Sequence, residues 1–307
     1  MRIYESITPV ERDTSVALGF FDGLHRGHAA VLLAAVEGRR KGLVPAVFTF
    51  SASPQRELCG RGAPRLMTVS QKERALGAFG FELLYRVDFS ALMEMEADAF
   101  VREVLAGAFR ARRVCCGFNY RFGKGGSAGC AELSRLCAPY GIEVCALPPV
   151  LEEGAPISST RIRALLEEGR VEEAERMLGR PFGFDFTVVH GRRIGRLMGT
   201  PTLNQPFPED FVLPRFGVYA SRVEWEGKSY VGVTNVGVKP TVGADAPLAE
   251  TWMPDYRGEE LYGCAVQTEL LRYLRPETKF EDLDALRAAI LADGRRAKEL
   301  AAERDGR

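Results

Sequence analysis

The chain has 307 residues, 46% hydrophobic and 27% charged, with 41 basic and 41 acidic side chains that cancel. That length accommodates two domains with separate cores, and zero net charge argues against a dedicated nucleic-acid binder, which carries a basic excess. No apolar run is long enough to span a bilayer, and residues 1–15 carry Glu5, Glu11 and Asp13 with no apolar stretch. Neither a membrane span nor a signal peptide is therefore expected, and the protein reads as cytoplasmic.

In chain order, an apolar run, Val16-Ala17-Leu18, leads into Gly19-Phe20-Phe21-Asp22-Gly23-Leu24-His25-Arg26-Gly27-His28 and an amphipathic stretch over residues 29–40. A strand, a glycine-rich turn and a helix start gather backbone N–H groups and a positive helix end, which suit a polyphosphate. Of three histidines, His25 and His28 stand three apart. On a first helical turn they share a face and can reach the same phosphate oxygen. Strand patterns over residues 43–50, 81–87, 113–116 and 142–147 alternate with helical ones over 70–79, 97–109 and 131–140. Apolar strands separated by helices predict a parallel sheet covered on both faces. Its ligands belong beyond the strand C-termini, where residues 19–28 fall. The glycines from Gly123 to Gly126 do not make a Walker A loop, since Gly125 rather than Ser or Thr follows Lys124. At Ile157-Ser158-Ser159-Thr160-Arg161-Ile162-Arg163, hydroxyls and a guanidinium converge on a helix start and can hold pyrophosphate.

A helical run over 160–178 and Gly179-Arg180-Pro181 make the junction, giving domains 1–182 and 183–307. Beyond it, short strands over 184–189, 217–225, 229–236 and 264–271 suggest a small antiparallel barrel, closed by a helix over 281–304. Val189-His190-Gly191-Arg192-Arg193-Ile194-Gly195-Arg196 precedes Gly199-Thr200-Pro201-Thr202-Leu203-Asn204. Thr202 and Asn204 stand two apart, point the same way in an extended segment, and offer hard oxygens suited to Mg²⁺. The seven cysteines (Cys59, Cys115, Cys116, Cys130, Cys137, Cys145, Cys264) form no Cys-x-x-Cys pair. Neither a disulfide framework nor a zinc site is expected, and most of them read as small buried hydrophobes.

The His-x-Gly-His segment resembles the nucleotidyltransferase signature, and its Gly-Phe-Phe-Asp-Gly-Leu-His lead-in is similar to bacterial FAD synthetases, the bifunctional riboflavin kinase/FMN adenylyltransferases. Gly117-Phe118-Asn119-Tyr120-Arg121-Phe122-Gly123 resembles that family's aromatic loop, and residues 157–163 its Ser-Ser-Thr-x-x-Arg signature. Further matches run in the family's order: Gly199 to Asn204, residues 217–220, 232–237 and 239–243, Glu250-Thr251-Trp252, Leu261-Tyr262-Gly263 and Leu274-Arg275. Two positions depart from the pattern. Ser51-Ala52-Ser53-Pro54 stands where the family has Asp-Pro-His-Pro, and Trp252 where it has His.

The resemblance implies a Rossmann-like parallel-sheet domain followed by a riboflavin kinase barrel, making FMN and then FAD at the expense of ATP. It implies charge stabilisation at the α-phosphate by His25 and His28, and Glu250 as the base for the ribityl hydroxyl. Nucleotide contacts are expected from Gly19, Phe20, Phe21, Asp22, Gly23, Asn119, Ser159, Thr160, Arg163, Gly191, Gly199, Thr202 and Asn204. Flavin contacts are expected from Phe122, Asn235 and Arg275, and Mg²⁺ ligation from Thr202 and Asn204. Two other readings stand beside this one: an adenylyltransferase with an inactive kinase half, and a non-catalytic flavin sensor. The sequence does not give the oligomeric state.

Overall fold

The computed structural model describes residues 1–52, 62–191, 199–241 and 244–305. Ser53, Pro54, Cys59, Arg192, Arg193, Ile194, Gly195, Arg196, Val242 and Gly243 lie outside them. The chain forms two compact units, residues 1–64 with 69–158 and residues 65–68 with 159–307.

The first unit is built on six strands, β1 (Arg2–Tyr4), β2 (Thr14–Leu18), β3 (Val44–Phe50), β4 (Leu83–Val87), β5 (Ala111–Gly117) and β6 (Glu143–Leu147), followed by a short antiparallel pair, β7 (Leu151–Glu152) and β8 (Ala155–Pro156), outside that sheet. The six pair in the order β1-β4-β3-β2-β5-β6, every pair parallel. β2 is buried along its whole length and β3 along all but its last residue. That explains their unbroken apolar runs, for a parallel sheet is covered on both faces. Helices α1 (Arg26–Val36), α2 (Val69–Ala78) and α4 (Cys130–Cys137) lie where the periodicity places them. The stretch expected as a helix over 97–109 begins as the short α3 (Ala97–Ala99) and continues as a π-helix, Phe100–Ala108. Its residues Phe100, Val101, Val104, Leu105 and Ala108 are apolar and buried, and their spacing by one and four positions also fits an α-helix face, so hydrophobic spacing does not distinguish the two windings. The chain runs from β2 to β3 on one side and from β5 to β6 on the other. The strand order therefore reverses between β2 and β5, and the loops after these two strands flank the crevice in which such sheets take ligands.

The second unit opens with two helices, α5 (Ser159–Glu167) and α6 (Val171–Leu178), where one continuous run is expected. Gly169 breaks it: its φ is +81°, and its backbone lies against the side chains of Arg215 and Tyr273. Six antiparallel strands follow: β9 (Phe182–Phe184), β10 (Thr202–Pro206), β11 (Gly217–Trp225), β12 (Lys228–Thr241), β13 (Ala244–Trp252) and β14 (Gln267–Arg275). Their order is β10-β13-β12-β11-β14-β9, and the sheet curls into a half-barrel. The segment after β9 bridges Thr187 to Ala265 and Val189 to Asn204, drawing the two edges toward each other. Helix α7 (Leu283–Asp305) closes the chain and packs Ala297 and Leu300 on Val218, Ala220, Val233 and Trp252.

The sequence pattern changes at 182/183, whereas the compact units meet at Ser158/Ser159. The difference has a physical source. Helices α5 and α6 bury Ile162, Leu165, Leu166, Val171, Met177 and Leu178, and Phe182 itself pairs with Leu270 of β14.

Candidate active sites

The turn after β2 is shaped by residues that only a close fit tolerates. Phe21 has φ 55° and Leu24 φ 44°, left-handed values unusual for residues with a Cβ. The buried Phe21 ring lies over Gly19, where a Cβ would come within 2.8 Å of it. The turn delivers His25, 6% exposed, to the N-cap of α1, where its Nδ1 accepts the His28 N–H at 3.2 Å. Accepting that bond requires a lone pair on Nδ1, so neutral His25 carries its proton on Nε2. The imidazoles stack with centroids 3.6 Å apart and planes 16° from parallel, and the Phe21 edge meets the His28 ring at 5.5 Å. Burial holds the His28 pKa well below the ordinary value of 6.5, with the charges of His25 and Lys72 adding to the shift. His28 is therefore neutral near pH 7, and its buried Nδ1 has no hydrogen-bond partner among the described residues.

Across the switch point, the loop after β5 presents Asn119, exposed, with its Oδ1 toward Gly117. Phe122, expected at the flavin, is a core residue 7% exposed, set against Phe100 and Tyr120. Phe118 on the same loop is 51% exposed and offers the open aromatic face. Ser159, Thr160 and Arg163 lie on the first turns of α5, in the second unit, with Thr160 exposed and the other two partly buried.

In the second unit three polar residues share one row. Asn204 of β10, Glu250 of β13 and Asn235 of β12 are direct cross-strand neighbours. Opposed residues in a sheet project to the same face, and Thr202, two residues before Asn204, joins them. Asn204 is 8% exposed, and its Nδ2 donates to the Thr202 carbonyl at 3.4 Å, leaving Oδ1 as an acceptor. Gly191 lies directly beneath that amide: a Cβ there would stand 2.6 Å from Nδ2 and 2.8 Å from Oδ1. Asn235 Nδ2 donates to Glu277 at 2.9 Å, while its Oδ1 is buried with no partner among the described residues. Arg275 pairs with Asp293 of α7 at 2.8 Å and lies over the Phe280 ring. Gly199 turns the chain into β10 with φ +73°.

A family model described as FAD synthetase matches residues 7–161, and one described as riboflavin kinase matches residues 178–301. A bifunctional riboflavin kinase/FMN adenylyltransferase from Listeria monocytogenes is 34% identical over 283 residues, 91% of this chain and 89% of that one. The chain belongs to this family. The Escherichia coli K12 member is 34% identical over 288 residues, covering 92% of this chain and 91% of that one. A solved Streptococcus pneumoniae structure, described as a macrolide-efflux protein, superposes with a TM-score of 0.86 at 30% identity, covering 97% and 98% of the two chains. Among the described residues of this family member, no helix is long and apolar enough to cross a membrane.

Family membership gives the two polar centres their context: the histidine turn lies in the FAD synthetase segment and the Asn204–Glu250–Asn235 row in the riboflavin kinase segment. Trp252, where the family pattern has His, is 8% exposed and packs beneath α7, its ring set against the backbone of Gly294. It is a core residue rather than an open aromatic face. Sequence reasoning missed Thr49 and Lys72, whose polar atoms both bond the Phe20 carbonyl. One is a strand-end threonine and the other a lone lysine in a helical pattern, so neither carried a local signal.

Proposed function

We propose that the chain phosphorylates riboflavin to FMN at the Asn204–Glu250–Asn235 row and transfers AMP from ATP to FMN at the histidine turn, giving FAD and pyrophosphate. The observation that carries this reading is the stacked pair His25 and His28 at the C-terminal end of a parallel strand, beside the switch point. In adenylyl transfer an FMN phosphate oxygen attacks the α-phosphorus and the bond to pyrophosphate breaks. The attacking phosphate is already ionised near pH 7, so this step needs charge stabilisation and no base. His25 supports it with a donor at Nε2, and His28 with an imidazole kept neutral until phosphate charge favours its protonation. Gly19 to Gly23 and Asn119 are assigned to the nucleotide, and Phe118 supplies the aromatic face that the buried Phe122 does not. The pyrophosphate role of Ser159, Thr160 and Arg163 rests on the motif alone.

Riboflavin presents an alcohol, which must lose a proton as it attacks the γ-phosphorus. Glu250 is assigned as the base that takes it. Asn235 Oδ1, buried and open to a donor, suits the flavin, and Arg275 takes part only by sharing its bond with Asp293. The donor set at Thr202 and Asn204, a hydroxyl and an amide oxygen beside the Glu250 carboxylate, fits Mg²⁺, which prefers few protein oxygens completed by phosphates and water. When bound, the ion would neutralise phosphate charge. A cytoplasmic location completes the reading, consistent with the six free cysteines among the described residues.

Incubating the full chain with riboflavin and Mg-ATP, and resolving FMN from FAD over time, tests this assignment. FMN should rise first and FAD follow at its expense. FAD formed only from added FMN would mark an inactive kinase half, and neither product would leave a flavin-binding protein.

A further inference from the structure

The mechanism above leaves unused a lysine that touches the histidine turn. Lys72 of α2 donates from Nζ to the Phe20 carbonyl and, at 2.9 Å, to Thr49 Oγ1; the ammonium stands 4.7 Å from the centre of the Phe20 ring. Thr49, fully buried on β3, donates its own hydroxyl to the same carbonyl at 2.9 Å. The carbonyl is thus gripped by donors from the two elements beside the turn, immediately before left-handed Phe21. A left-handed backbone at a residue with a Cβ persists only where its surroundings over-determine it.

A neutral hydroxyl suffices to satisfy one carbonyl, and Thr49 supplies it. A second donor that is a partly buried, largely desolvated cation is an expensive addition for structure alone. Burial lowers the Lys72 pKa from 10.5 to about 7, with Asp22 opposing the fall and Arg86 adding to it. Among the described residues, the charged and titratable groups acting on the ammonium are Asp22 on the turn, His28 on α1 and Arg86 on β4. Arg86 is itself paired with Glu73 of α2 and with Glu5. Lys72 and His28 therefore disfavour each other's positive charge, and an arriving triphosphate favours both.

We propose that Lys72 is a positioning residue of the adenylyl-transfer site, fixing through the Phe20 carbonyl the turn that carries His25 and His28 and setting the charge these imidazoles meet. This rests on the role given to the histidines above. Lys72 is assigned no bond-making step: it acts through the turn and through its field.

The test uses the full chain with Lys72→Met, which keeps length but removes donor and charge, and Lys72→Arg, which keeps the charge. FAD formation from FMN, FMN formation from riboflavin, and the titration of the His28 ring by NMR without ligand are measured on each. Lys72→Met should lower kcat for FAD formation by about 10-fold or more, the scale for a misplaced catalytic group. It should raise the His28 titration midpoint and leave riboflavin phosphorylation at the wild-type rate. Lys72→Arg should return the His28 midpoint toward wild type and recover part of kcat. Wild-type FAD synthesis in Lys72→Met would overturn the proposal. So would a fall in kcat with the His28 titration unmoved, which marks a merely structural loss. A wild type that makes no FAD would bring down the underlying reading instead, and the His28 titration would still decide whether Lys72 is coupled to the turn.

Discussion

Gly191→Ala isolates the kinase half with a single methyl group. The added Cβ would stand 2.6 Å from Asn204 Nδ2 and 2.8 Å from both Cγ and Oδ1. Ordinary contact begins near 3.4 Å, so the amide must retreat by about 0.8 Å or rotate away. It has little freedom to do so, being 8% exposed, tied to the Thr202 carbonyl and flanked in register by Glu250. The displaced atom is the Oδ1 assigned to Mg²⁺, and a misplacement near 1 Å costs on the order of 10²-fold in rate. Riboflavin phosphorylation, measured as a function of Mg²⁺ and ATP, should fall by that factor and demand more Mg²⁺. FAD formation from added FMN should be unchanged, because the histidine turn lies in the other unit. A Gly191→Ala protein with wild-type phosphorylation and an identical Mg²⁺ titration would refute both the placement of Asn204 and its assignment to the metal.

His28→Ala should reduce FAD formation from FMN by about 10²–10³-fold, the scale for one transition-state donor, with riboflavin phosphorylation intact; equal FAD rates would remove the role. Glu250→Gln keeps shape and hydrogen bonding but not basicity, so phosphorylation should drop by about 10²–10⁴-fold while riboflavin binding, followed by flavin fluorescence, stays near wild type. Trp252→Ala should empty a core site under α7 and cost about 3–5 kcal/mol, read as a lower midpoint in denaturant; an unchanged midpoint would deny Trp252 its place in the core. The depressed Lys72 pKa fixes a sign for stability. Between about pH 7 and 10.5 the unfolded lysine binds a proton that the folded one has lost, so the cost of its burial is complete below pH 7 and fades toward 10.5. Thermal melts of Lys72→Met against wild type should therefore favour the variant more at pH 6.5 than at pH 9.5, and a pH-independent difference would contradict the buried charge.

Much of this was legible in the chain because the signals are local. Continuous apolar runs such as residues 43–50 report a strand covered on both faces, and the alternation with helices reports parallel pairing. His25 and His28 needed only their spacing at a helix start, and Thr202 and Asn204 only the two-residue period of a strand. What the tertiary structure decided depends on partners distant in sequence. Phe122 and Trp252 are aromatic residues inside family motifs, yet the packing of Phe100 and of α7 turns both into core, and no local pattern distinguishes an open ring from a buried one. Asn204, Glu250 and Asn235 form one row because β13 lies between β10 and β12, an adjacency fixed by strand register that pairs Glu250 with Asn235 nearby and with the far more distant Asn204. Lys72 met Phe20 only when α2 closed on the turn after β2, across 52 residues. Its depressed pKa belongs to that burial and exists nowhere in the unfolded chain.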